Sequence, residues 1–302
     1  MIPTFPETLT QLLTEHYGEA LTRQIVEGSS ARRPVTLRCN RLFTEPSAVA
    51  AALEAAGLAF ERVPWYEDAF ILPEAREDAV RALPLYEQGH IYLQSLSAMV
   101  PVPVLDPRPG ETVLDMAAAP GGKTTQIMSH TLGQAQVTAC ERDHIRAERL
   151  RSNLEKQGCR RVMVMEQDAR RLDDLFSFDR VLLDAPCSGS GTILLAEGEP
   201  QRRMEPAWLK KTAATQLAML QKALGMLRKG HELVYSTCSI LPMENEEVVR
   251  RAMARTRCEV VPVDPALAGA LPLLPCGLPG ALVIRPTALY EGFFVCRLRK
   301  LV

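Results

Sequence analysis

The sequence predicts an α/β protein, a doubly wound and mostly parallel sheet preceded by a small α+β domain. Three observations point there. From Gly89 onward, near-continuous apolar strands alternate with helical segments, as parallel strands buried on both faces do. The first strand of that series runs into DMAAAPGGKT, a turn of small residues and glycines that opens a helix. Before Gly89 the elements are shorter and mixed, and the charge balance has the opposite sign. Residues 1–95 carry 8 Arg, no Lys and 13 Asp/Glu, whereas residues 96–302 carry 27 Lys/Arg against 23 Asp/Glu. The expected division is 1–86 for the small domain and 87–302 for the large one.

Helical spacing of Leu9, Leu12, Leu13, Tyr17, Leu21 and Ile25 predicts one helix over 5–27. VTLRCN (35–40) reads as a strand, 46–56 as a helix ended by Gly57, 58–63 as a short extended run, and Ala69–Leu72 as a further strand. In the large domain TVLDMAA (112–118) is the first strand and GGKTTQIMSHTL the helix behind it. VTACE (137–141), VMVMEQD (162–168) and FDRVLLDAP (178–186) are strands two to four, with a helix at 144–157 stopped by Gly158. A helix over 207–228, closed by Lys229-Gly230, precedes the fifth strand, ELVYSTCS (232–239). A helix at 243–255, CEVVPV (258–263) and GFFVCRLRK (292–300) complete the series. Residues 262–286 hold six prolines and three glycines, which predicts an irregular surface loop.

The turn from Asp115 to Thr124 brings Ala117, Ala118, Ala119, Pro120, Gly121, Gly122 and Lys123 to a helix N-terminus, where a ligand can approach the backbone. It is neither G-x-G-x-x-G nor a Walker A loop, so a pyrophosphate cradle is not supported. The second strand ends in Glu141, suited to accept from both hydroxyls of a ribose. The third ends near Asp168, suited to take an adenine amine. Either acid alone is an ordinary solvated strand end. Acids at three successive strand ends, with this turn, fit an adenosine-bearing cofactor without pyrophosphate, of which S-adenosylmethionine is the common one.

Strand four runs into LLDAPCSGSGT, placing Asp184 and Cys187 at its tip, and strand five into VYSTCSI, placing Cys238 in the same layer. Neighbouring strands would turn both thiols toward one pocket. Carbon 5 of cytosine takes a methyl group only after a thiolate has added to carbon 6. A carboxyl group at ring nitrogen 3 stabilises that adduct, and a base must then remove the proton at carbon 5. A Cys, an Asp and a second thiol answer those needs. An inert buried pair of thiols is the competing account, and the residues alone do not say which thiol attacks.

DMAAAPGGKTTQ, LLDAPCSGSG, YSTCSILPMENE and EGFFVCRLRK together resemble the Nol/Nop/Sun family of RNA (cytosine-5) methyltransferases, and most of all its bacterial ribosomal RNA branch, RsmB/RsmF. The likeness covers about 90–302, and more loosely RPVTLRCNRL and VPWYEDAFIL, which look like that family's small RNA-binding region. The resemblance implies a Rossmann-like methyltransferase sheet. It implies that Ala117–Lys123, Glu141, Asp168 and Asp184 contact S-adenosylmethionine or the target base, and that Lys123 and Asp184 join two cysteines in the catalytic set. Cys238 would be the nucleophile and Cys187 would help release the product. The implied partner is RNA, 16S rRNA or the small ribosomal subunit, met by a monomer. A tRNA cytosine-5 methyltransferase is the alternative enzyme, and a non-catalytic ribosome-assembly factor the alternative of another class.

Composition limits the rest. With 47% hydrophobic and 24% charged residues the chain is of ordinary globular type. Its eight cysteines form no C-x-x-C pair and no Cys/His cluster, so no metal is expected. MIPTFPETLT has no signal-peptide pattern and no run of eighteen apolar residues occurs, which predicts a cytoplasmic protein without a membrane partner. A net charge of −1 means that nucleic acid would have to meet local clusters. Arg32, Arg33, Arg38 and Arg41 are one candidate, and Arg202, Arg203, Lys210 and Lys211 another; solvated surface charge accounts for either equally well.

Overall fold

The computed structural model describes residues 5–195 and 204–302. The chain divides into two compact units, one of Pro34–Leu182 with Met226–Arg228, the other of Met1–Arg33, Leu183–Gly225 and Lys229–Val302.

The first unit opens with a four-stranded antiparallel sheet. Its strands are β1 (Val35–Cys39), β2 (Glu61–Arg62), β3 (Ala69–Leu72) and β4 (Ile91–Leu93), in the order β2-β3-β1-β4. Leu37, Cys39, Phe70, Leu72 and Ile91 pack under Val49 and Leu53 of the helix Pro46–Ala55 and Val80 of the helix Glu77–Arg81. The extended run expected at 58–63 shrinks to two residues, and β4 joins this sheet from beyond residue 86.

Parallel strands follow: β5 (Thr112–Asp115), β6 (Gln136–Cys140), β7 (Val162–Met165) and β8 (Phe178–Asp184), ordered β8-β5-β6-β7. The order reverses between β5 and β8, and the carboxyl ends at such a reversal are where open α/β sheets bind ligands. Gly122–His130 crosses from β5 to β6, and His144–Lys156 from β6 to β7. The second of these starts on Asp143, whose side chain caps the Arg146 N–H at 2.9 Å, worth about 1 kcal/mol. This is a Rossmann-like arrangement, preceded in the chain by the small N-terminal sheet.

In the second unit Pro206–Met226 is the long helix, and β9 (Leu227–Thr237) follows directly. The expected stop at Lys229-Gly230 is therefore corrected. Gly230 takes a positive φ of 79° inside extended chain, which a helix-closing glycine also does, so composition alone misplaces the boundary. The expected single N-terminal helix is also corrected: Gly18 breaks Glu7–Ser30 at φ 77°, ψ 165°. Tyr17, just before the break, donates its hydroxyl to the Ile240 carbonyl at 2.8 Å.

The remaining strands are β10 (Cys258–Val261), β11 (Leu273–Leu274), β12 (Leu282–Ile284) and β13 (Phe293–Lys300). β13 lies antiparallel between β9 and β12, with Phe294 opposite Thr237 and Val283, and β10 pairs with it through Cys258 and Lys300. The irregular loop expected at 262–286 thus holds two strands and the short helix Pro265–Gly269. Its prolines flank the pairing segments, and Leu282, Val283 and Ile284 are buried against β13.

Candidate active site

In the first unit the turn after β5 is fixed from behind. Buried Asp115 accepts the Thr124 hydroxyl at 2.7 Å, the Ala118 N–H donates to Cys140 O at 2.9 Å, and the Gly121 N–H donates to Ala118 O at 2.8 Å. Gly121 has φ 110°, and a Cβ there would sit 3.0 Å from Leu150 Cδ1. A Cβ on Gly122 would sit 3.3 Å from Tyr92 Cε1. The glycines therefore let the turn pack closely at its back. Two residues of His144–Lys156 hold its carbonyls: Arg146 Nη2 donates to Ala119 O, and Asn153 Nδ2 to Pro120 O, both at 2.8 Å. Reading the sequence overlooked both residues, although their spacing of seven puts them on one helix face.

Glu141, at the tip of β6, is only 5% exposed. Its Oε1 accepts the Asp143 N–H at 3.0 Å, and Oε2 lies 3.4 Å from Arg146 Nη1. Asp168 caps the turn after β7 by accepting the Arg170 N–H at 3.0 Å, and it is paired with the Arg170 guanidinium, whose hydrogen bonds hold the carboxyl below the usual range. Cys140, beside Glu141, is a core thiol, pushed up to about 12 by burial and then by the charges of Asp115 and Asp168.

In the second unit β8 and β9 end side by side. The Ala185 N–H donates to Ser236 O at 2.8 Å, and Ser236 Oγ donates to Asp184 Oδ1 at 2.8 Å. The sulfurs of Cys187 and Cys238 lie 3.2 Å apart, each half-buried and unbridged. The hydrogen bond to Cys238 pushes the Cys187 thiol well above its ordinary value, with burial and the charges of Cys238 and Glu244 adding to it. Burial raises Cys39, Cys159, Cys258, Cys276 and Cys296 as well, which favours the protonated thiol at each. The paired thiols are thus the pair the two motifs single out, with Asp184 on the same strand tip.

The basic candidates separate on inspection. Arg38 is fully buried: it donates to Gln94 Oε1 at 2.9 Å, Gly122 O at 3.0 Å and Thr125 Oγ1 at 2.5 Å. It is withdrawn as a phosphate contact, because its strand is covered on both faces. Arg41 pairs with Glu45, Glu67 and Asp68, and Arg33 donates to Tyr290 O, leaving Arg32 outward. Lys210 and Lys211 are exposed, and Arg202 and Arg203 lie outside the described residues. Among the described residues one trio, His144, Glu148 and Glu166, has metal-ligand spacing, but all three are exposed and Arg151 pairs with both carboxylates. Among the same residues no helix is long and apolar enough to cross a membrane.

The family model described as 16S rRNA methyltransferase RsmB/F matches residues 102–299, and the ferredoxin-like domain of RsmF/B-like methyltransferases matches 5–77. Ribosomal RNA small subunit methyltransferase B of Klebsiella pneumoniae subsp. pneumoniae is 37% identical over 260 residues, covering 83% of this chain and 58% of that one. Its namesake from Vibrio cholerae serotype O1 is 33% identical over 304 residues, covering 98% and 65%. The chain therefore spans less than two thirds of these curated relatives. Among solved structures, a methyltransferase homolog protein from Pyrococcus horikoshii superposes with a TM-score of 0.83 at 30% identity, covering 98% of this chain and all of that one. NSun6 from the same organism, solved with SFG, reaches 0.89 at 21% identity over the whole of both chains, which shows a shared fold.

Proposed function

Since the chain belongs to the RsmB/F family of 16S rRNA methyltransferases, we propose that it methylates carbon 5 of a cytosine in RNA, with small-subunit rRNA as substrate, in the cytoplasm. The observation that carries this reading is the pair of thiols 3.2 Å apart beside Asp184. Cys238 gives up its proton to solvent and its thiolate adds to carbon 6 of the base, which makes carbon 5 nucleophilic. Asp184, at the tip of β8, hydrogen-bonds ring nitrogen 3 and stabilises the adduct. Cys187 stays protonated during attack; once the methyl group is on carbon 5 it gives its proton to solvent and, as thiolate, takes the carbon 5 proton, and the electrons of that C–H bond restore the ring double bond as the Cys238 sulfur leaves as a thiolate.

S-adenosylmethionine, when bound, supplies the electrophilic methyl group. The donor set fits it: Glu141 keeps acceptor capacity for ribose hydroxyls beyond the one N–H it holds, and the turn Ala117–Lys123 presents small side chains at a helix start. Lys123 and Asp168 complete the set that would hold the cofactor. Residues 1–86 are the proposed RNA-facing module. The target base reaches such a pocket only when unpaired or flipped out.

Order of events gives the test. Attack precedes methyl transfer and elimination follows it, so Cys187→Ala should methylate and then stall as a protein–RNA conjugate, while Cys238→Ala forms none. A denaturing gel with labelled RNA reads this directly. The reverse pattern would make Cys187 the nucleophile, and full activity in both variants would reduce the pair to core packing.

A further inference from the structure

One buried charge beside the thiols is not used by the reaction as described. Glu244 closes the turn Pro242–Glu244 in the stretch PMENE and has no exposed surface. Its Oε1 accepts the Ser188 N–H at 2.8 Å and Gln216 Nε2 at 3.2 Å, and its Oε2 accepts the hydroxyls of Ser188 at 2.5 Å and Ser239 at 2.6 Å. Ser188 follows Cys187 and Ser239 follows Cys238 in the chain. A single carboxylate thus takes a bond from the residue beside each thiol, and its four donors match the roughly four acceptor positions a carboxylate offers.

The surrounding bonds run the same way. Ser190 and Ser239 join their hydroxyls at 2.9 Å, the Gly191 N–H donates to Cys238 O at 3.0 Å, and Gln216 also donates to Pro186 O at 2.9 Å. Tyr235 fixes the turn itself by donating to Glu244 O at 2.6 Å. A buried carboxylate is a poor device for stability alone, since an apolar residue of similar size commonly serves as well. A carboxylate with every donor on the two thiol-bearing loops, or on the helix beside them, is suited to fixing their separation.

We propose that Glu244 is a positioning residue for the two cysteines, holding Ser188 and Ser239, and with them Cys187 and Cys238, at the separation the reaction uses. This rests on the reading of the thiols given above. The charge has a second effect of the same sense: placed near Cys187, it disfavours a second thiolate beside the first.

Glu244→Gln tests it, because it keeps the size of the side chain while turning one acceptor into a donor aimed at groups that themselves donate. One readout needs no RNA. A small aromatic disulfide oxidises the pair by exchange: one cysteine thiolate displaces a reagent thiolate, the other cysteine then displaces the reagent from the mixed disulfide, and two electrons pass to the reagent as the Cys187–Cys238 bond forms and both thiol protons leave. Peptide mapping by mass spectrometry should find this bond forming at least about tenfold more slowly in the variant, and single-turnover methylation about 10²-fold slower, with cofactor and RNA affinities within about twofold of wild type. If Glu244→Gln does not fold, Ser239→Ala removes one of the four donors to Glu244, with the Ser190 and Leu241 bonds of the same hydroxyl, without touching the charge, and should move both rates in the same direction by less. A lowered melting temperature with both rates at wild type would overturn the proposal, and so would slow disulfide formation with unchanged methylation. Failure of the wild type to methylate RNA would instead strike the reading of the cysteines, while the disulfide arm still decides whether Glu244 sets their spacing.

Discussion

Cys187 meets three influences that favour its protonated form, the Cys238 sulfur, burial and the Glu244 charge. The sign is simple: a raised pKa leaves a thiol at neutral pH, and alkylation needs the thiolate. Iodoacetamide labelling of Cys187, followed by mass spectrometry, should therefore rise only at pH above the ordinary thiol value of about 8.5. Labelling already complete at neutral pH would contradict the assignment of Cys187 as the thiol that waits. Glu141 makes a different claim, on the cofactor. Its Oε2 side faces Arg146, and Glu141→Ala should weaken S-adenosylmethionine binding by about 1–3 kcal/mol in calorimetry. Unchanged affinity would remove it from the site. Both were visible in the sequence as candidates, because Glu141 directly follows β6 and Cys187 comes three residues after β8. Glu244 was not: its meaning depends on Ser188, 56 positions earlier, and no local pattern carries that pairing.

At the scale of elements, β1 shows where sequence patterns mislead. The alternation in VTLRC sets Leu37 and Cys39 on one face and predicts a wet face for Arg38. Both faces are covered, and Arg38 runs into the first turn of Gly122–His130, with Tyr92 under its guanidinium. Asn40 in the same motif donates to Gly89 O and Gln157 O. A stretch that resembles an RNA-binding segment thus ties the small sheet to the helix Gly122–His130 that follows the turn after β5. Arg38→Met should cost about 3 kcal/mol in denaturant unfolding, because three buried acceptors lose their donor. A loss under about 0.5 kcal/mol, typical of a surface change, would show that the guanidinium is solvated instead. The parallel strands were read to within a few residues because each carries a run of apolar residues, even β7 at the sheet edge, whose Met163 is exposed. The strands in 262–286 were hidden because prolines, which flank them, signal loops, and the Gly18 break was hidden because the apolar spacing continues across it.

For the molecule as a whole, the RNA binding proposed above would have to come from local charge, given a net charge of −1. Exposed Lys210 and Lys211 lie at the start of the helix whose Gln216 touches the Cys187 loop. Replacing both by Gln should weaken RNA binding and flatten its salt dependence by about 0.7 in log–log slope for each phosphate no longer neutralised. An unaltered slope would leave them as solvated charge. The two thiol-bearing loops, by contrast, are braced by residues from far apart in the chain: Tyr17 reaches the Cys238 loop through Ile240 O, the Gly292 N–H donates to Gly191 O of the Cys187 loop, and β13 supplies the neighbour of β9. During translation the strand Phe293–Lys300 leaves the ribosome after both thiol-bearing loops. Until it does, the nascent chain is expected to carry two ordinary thiols without the support that aligns them. Under the chemistry proposed above, the attacking thiol would then mature only once this strand has cleared the ribosomal tunnel in which it was made.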